Sequence, residues 1–191
     1  CTIINAKSGK CSENCKFCAQ SGHYHTNIKE YDLLDEDVIV KDALDKYNRG
    51  IPRYSMVASG KGLTPKDIDK ICSITRKIYE QAPGIKVCIS GGIISEESFE
   101  KLKAAGITRI HNNLETSRNF FPEICTTHTY DQKIETIKAA QEAGMEICSG
   151  GLIGLGEDFK DRIDMALELR DLDVHSVPIN LLNRSEEHTS E

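Results

Sequence analysis

RYSMV (53–57), TPKDIDKICSITRKIYEQ (64–81) and IKVCI (85–89) follow one another along the chain and together decide its fold. The outer two are short apolar runs of strand length. The middle one carries isoleucines at helical spacing behind a Thr-Pro start, with Thr64 as cap and Pro65 at the first helical position. A strand, a helix and a second strand in that order describe a parallel crossover unit. The same alternation extends in both directions. Strands are expected near 2–5, 53–57, 85–89, 109–113, 146–149 and 176–180, and helices near 35–47, 65–81, 95–105, 131–143 and 159–170. Gly106 and Gly144 stand where two of those helices should stop.

About six strand–helix steps suit a partial (β/α) barrel of the TIM type, although an open doubly wound α/β sheet alternates in the same way. Ser55, Cys88, Asn113, Cys148 and Asn180 each fall in or near the later part of an expected strand. In a barrel such positions converge on one mouth, which favours the barrel.

The 191 residues carry a net charge of -6 and 39% hydrophobic residues, which suits a soluble small-molecule enzyme and disfavours nucleic acid or acidic lipid as partner. No apolar stretch is long enough for a membrane span and no signal-peptide pattern opens the chain, so the cytoplasm is the expected location. The eight cysteines then read as thiols or metal ligands and not as a disulfide scaffold. The chain starts inside a strand without an initiating methionine, so upstream sequence is expected. Residues 184–191, RSEEHTSE, resemble the translation of a common sequencing-library adapter. Residues 1–183 are therefore expected to form an incomplete barrel domain followed by a non-native tail.

Directly after the first strand stands CSENCKFC, which spaces Cys11, Cys15 and Cys18 as CxxxCxxC. Three thiolates on one loop can hold three irons of a cubane and leave the fourth open to a substrate or cofactor. The same residues could pack a loop, or hold zinc with a histidine such as His23 or His25. The spacing resembles that of the radical S-adenosylmethionine (SAM) superfamily. That resemblance implies a [4Fe-4S] cluster whose open iron chelates SAM, with one electron cleaving SAM to a 5'-deoxyadenosyl radical. Phe17 matches the aromatic position packed near the adenine.

NAKSGKCSENCKFCAQS (5–21), YSMVASGKG (54–62), HNNLETS (111–117), TTHTYDQ (126–132), EICSGGLIGLGE (146–157) and SVPINLL (176–182) each resemble, in order, a segment of the biotin synthase family. The resemblance implies sulfur insertion into dethiobiotin, a flavodoxin- or ferredoxin-type electron donor, a homodimer, and a second cluster, usually [2Fe-2S], deep in the barrel. Cys88 and Cys148 match two of that cluster's ligands. At a third ligand position this chain has Ser55, a harder and weaker partner for iron than a thiolate. Cys125 is a candidate substitute. Asn113 and Glu115 match residues near SAM and substrate, and Asn180 matches a substrate-binding position. Gly150 and Gly151 allow close backbone approach to a nucleoside, or simply make a tight turn. His128 is expected to bond a backbone or SAM group and not a metal.

Overall fold

In a computed structural model, residues 1–182 are described. The expected tail at 184–191 lies outside them. The strands are β1 (Thr2–Lys7), β2 (Arg53–Ala58), β3 (Lys86–Ser90), β4 (Arg109–His111), β5 (Glu146–Cys148), β6 (Gly151–Ile153) and β7 (Ile179–Leu181). The helices are α1 (Glu36–Asn48), α2 (Pro65–Gln81), α3 (Glu96–Ala104), α4 (Phe121–Ile124), α5 (Tyr130–Glu142) and α6 (Phe159–Asp171).

The first five strands form one parallel sheet whose spatial order, β1-β2-β3-β4-β5, is the order of the sequence. A doubly wound sheet must reverse that order at its switch point. No reversal occurs among the described strands, so the arrangement is a partial barrel. The sixth expected strand continues it: Ser176 bridges Cys148, and β7 pairs with β6 in parallel. The fifth expected strand, 146–149, is β5, and after a break the chain pairs again as β6, which was not expected. At that break a Cβ on Gly150 would collide with the carbonyl oxygen of Pro178. Only glycine lets the two backbones come this close.

Helix starts follow local chemistry. Thr64, Thr129 and Asp158 each accept from the amide three residues on, and Asp67, Gln132 and Asp161 close capping boxes. Ser95 caps α3 in the same way, without the reciprocal bond. Gly106 and Gly144 follow the helix ends with φ of 102° and 73°, a region costly for any other residue. The short α4, ahead of α5, has no counterpart in the periodicity because four residues are barely one helical turn.

Alternate strand residues divide the molecule. Tyr54, Met56, Val87, Ile89, Ile110 and Ile147 are buried towards the helices, with Ile68, Ile71, Ile74 and Ile78 of α2 in the same core. Each such side chain contributes about 1.5–3 kcal/mol through burial. The intervening residues, Ser55, Cys88, Arg109, His111, Glu146 and Cys148, belong to the opposite face, the barrel interior. No described helix is long and apolar enough to cross a membrane.

Candidate functional site

A cavity of about 450 Å³ opens at the end of the barrel that receives the loop after β1. Its wall includes Cys11, Cys15, Phe17, Cys18, Asn113, Glu115 and Lys133. The size suits a small organic ligand.

Backbone bonds close the cysteine loop on itself. The Cys11 amide donates to Gln20 O at 3.1 Å, the Gly22 amide to Cys11 O at 2.7 Å, and the Cys18 amide to Cys15 O at 3.0 Å. Asn14 then staples the loop to the segment after α4, donating to Thr126 Oγ1 at 2.7 Å and accepting from the Thr126 amide at 2.9 Å. Burial pushes the Cys15 and Cys18 thiols up, and the neighbouring Cys125 adds to the effect on Cys15. A metal reverses this, because thiols bind it only as thiolates. Three thiols on a closed loop, facing a cavity, are a donor set suited to an iron–sulfur cluster with one open corner.

The staple carries Cys125 with it. Its Sγ lies 3.6 Å from Cys15 Sγ, so Cys125 belongs beside the first loop and not at the auxiliary site where a substitute ligand was expected. His128 also departs from expectation. It stands 2.6 Å from Glu13 Oε2 and 3.2 Å from Cys125 Sγ through Nδ1, within ligand range of two thiols.

Opposite the loop, Asn113 Oδ1 accepts from the Gly150 amide at 3.0 Å, and its Nδ2 donates to Glu115 Oε2 at 3.4 Å. Glu115 has φ of 71°, a region rare for a residue with a side chain and often found at functional sites. Lys133, from α5, donates to Asn112 Oδ1 at 3.2 Å, and Asn112 is fixed in turn by Gly92 O at 3.2 Å. Burial pushes the Glu115 carboxyl up and the Lys133 ammonium down, and each charge partly offsets the shift of the other.

Sequence reasoning missed Lys133. The signal was there: Lys133 lies three residues after buried Tyr130 and four before buried Ile137, on the inward stripe of α5.

Inside the barrel, Cys88 is buried and accepts from Arg53 Nη1 at 3.2 Å. Ser55 is its register neighbour on β2. Arg53 and Arg109 both pair with Glu146. Cys148, the register partner of His111, has its Sγ 3.3 Å from His111 Nδ1. Burial pushes His111 down and keeps it neutral. His111, which sequence reasoning also missed, touches both regions because it lines the cavity as well.

Three expected residues do something else or lie elsewhere. Gly150 and Gly151 are not on the cavity wall but at the β5–β6 crossing, where a side chain on either would meet protein backbone. Asn180 is exposed on β7 and also lies off the wall. The rest of that glycine loop binds its own carboxylate. Glu157 accepts from the amides of Gly154, Leu155 and Gly156 at 2.7–3.1 Å.

Known proteins resemble the chain at two levels. A model of the radical SAM superfamily matches residues 6–169. The biotin synthases of Brachyspira hyodysenteriae and of Akkermansia muciniphila are each 56% identical, over 96% and 95% of this chain and 55% and 56% of their own lengths. The chain thus spans a little over half the length of these relatives. Among solved structures, methylornithine synthase superposes with a TM-score of 0.82 at 18% identity, covering 96% of this chain and 53% of that one. The FeFe-hydrogenase maturase HydG of Carboxydothermus hydrogenoformans gives 0.81 at 18%, covering 100% and 46%. At such identities the structures establish a shared fold alone.

Proposed function

The chain belongs to the radical SAM superfamily, and from that premise we propose that it is the catalytic core of a biotin synthase, which inserts sulfur into dethiobiotin. The observation that carries the reading is the joining of two thiol regions through one residue: His111 lines the cavity of the cysteine loop and also touches Cys148. Identity of 56% to biotin synthases over nearly the whole chain supports the substrate. The fuller reading is a cytoplasmic homodimer served by a flavodoxin- or ferredoxin-type electron donor.

In this reading Cys11, Cys15 and Cys18 hold a [4Fe-4S] cluster and leave one iron for SAM. When bound, the cluster and SAM together supply a radical able to take hydrogen from an unactivated C–H bond, which no acid–base side chain can do. The chain's own groups bind and orient. Lys133 is the half-buried cation suited to the α-carboxylate of SAM, and Asn112 holds it in place. Glu115 is suited to the ribose hydroxyls, since one carboxylate can accept from both. Phe17 offers a flat apolar face to the adenine. Asn113 fixes the Glu115 carboxylate and tethers it to the Gly150 amide.

Cys88 and Cys148 are proposed as ligands of the auxiliary cluster that donates sulfur. Arg53 and Arg109 supply positive charge beside it, and His111 stands next to Cys148 in a chain that has Ser55 where a third thiolate is usual. Measuring iron and acid-labile sulfide after anaerobic reconstitution tests the reading. A Cys88→Ala, Cys148→Ala double variant should lose part of both while keeping a cluster whose spectrum responds to SAM. Equal content in both proteins would overturn the second cluster and with it sulfur insertion.

A further inference from the structure

We propose that the cluster-free chain holds one tetrahedral divalent metal ion of the zinc class on Cys15, Cys125 and His128, a site that shares Cys15 with the cluster loop and excludes the cluster. The inference needs only the cysteine loop and not the biotin synthase reading.

Distances carry it. Two thiolates bound at about 2.3 Å to one tetrahedral ion stand about 3.8 Å apart. Cys15 Sγ and Cys125 Sγ are already 3.6 Å apart. His128 stands 3.2 Å from Cys125 Sγ through Nδ1 and 3.9 Å through Nε2, and one ligand atom from each of the three residues falls within 4.8 Å of the others. This is the only such group of three among the described residues. Cys11 and Cys18 are outside it, as befits residues spaced for a cubane and not for one ion.

The surroundings fit a metal as well. His128 Nδ1 is 2.6 Å from Glu13 Oε2, and a proton donated along that contact leaves the Nε2 lone pair free. A carboxylate behind a histidine in this way fixes its tautomer and strengthens it as a ligand. Charge closes too. The two thiolates balance the two charges of the ion. The two thiol protons leave for solvent when the ion binds. Cys15, Glu13 and His128 all line the cavity, so the fourth position is open to water or to a small ligand.

The partner loop explains why the site exists here. Asn14 binds Thr126 at both ends of its amide, which fixes Cys125 over Cys15 whether or not any metal is present. An ion on Cys15 and Cys125 therefore needs little rearrangement. It removes Cys15 from the set that a cluster requires.

The test uses the full chain, freed of iron with a chelator under anaerobic conditions, with Co2+ as the probe and Zn2+ as competitor. One Co2+ per chain is expected, with the strong visible bands of tetrahedral cobalt and thiolate charge-transfer absorption. Cys125→Ser and His128→Gln should each weaken binding more than tenfold, and Glu13→Gln by about tenfold. Cys72→Ser, a packing cysteine on α2, should change nothing. X-ray absorption on the unmodified zinc form, which depends on no variant folding, should count two sulfurs and one imidazole. Three sulfurs, or binding lost in Cys18→Ser but kept in Cys125→Ser, would put the ion on the CxxxCxxC loop and overturn the proposal. An octahedral cobalt spectrum would overturn it as well.

Discussion

Glu115 lies across from Gly151 with its carbonyl accepting from the Leu152 amide at 2.9 Å, and a Cβ built on Gly151 would stand 2.6 Å from that carbonyl oxygen. The strained φ of Glu115 is thus held by a neighbour that must lack a side chain. Gly151→Ala should lower stability by about 1–3 kcal/mol, the usual cost of overpacking. Its urea midpoint should fall with the slope unchanged. An unaltered midpoint would mean that the β6 backbone can move away at no cost.

Lys133 should bind the carboxylate of SAM. Lys133→Met is expected to weaken SAM binding roughly ten- to hundredfold, the worth of a hydrogen bond to a charged group. An analogue of SAM without its carboxylate should bind both proteins alike, which equilibrium dialysis can measure. The variant also leaves the Glu115 carboxyl without its offsetting charge, so its urea midpoint is measured beside its affinity. Equal loss for both ligands would assign Lys133 a structural role.

Glu157 should be a pH-dependent clamp. Burial pushes its carboxyl up, but the backbone amides and Arg162 outweigh burial and hold it below the usual carboxylate range. A depressed carboxylate stabilises the fold above its unfolded value of 4.5, and the contribution is lost as pH falls through the folded value. Glu157→Gln should cost about 1–3 kcal/mol at pH 7, since an amide cannot accept as many donors. Below that window the two proteins should converge in chemical denaturation. A gap that persists at low pH would point to packing and not to charge.

How much of this was legible in the sequence follows from what periodicity can encode. Helix starts at Thr64, Ser95 and Thr129 are written in local chemistry, and so is the cysteine loop. Strand lengths were not: β4 ends at His111 and β5 breaks after Cys148, because pairing across the barrel, not propensity, decides where a strand stops. Cys125 was read as a ligand for the wrong region, since its neighbour Cys15 lies 110 residues away and comes close only through the Asn14 staple. The glycine loop read either as a close approach to a nucleoside or as a tight turn. Its amides turn back on Glu157, a contact only three residues long that the spacing GLGE already contained.

Arg53 should tune the auxiliary site. Its Nη1 donates to Cys88 Sγ at 3.2 Å while its other nitrogen pairs with Glu146, so a single side chain links thiol and carboxylate. Burial pushes the Cys88 thiol up, and Arg53 and Arg109 pull it back. A donor on a ligand sulfur favours the reduced, more negative cluster, so its loss should lower the cluster's reduction potential. Arg53→Met keeps the apolar stem and removes only the guanidinium. In a redox titration of the reconstituted chain followed by electron paramagnetic resonance, the auxiliary signal should appear at a lower potential. The SAM-responsive signal should stay where it was, because Arg53 is off the cavity wall. A shift in both would mean that Arg53 acts through the fold, and a shift in neither would separate Cys88 from the cluster.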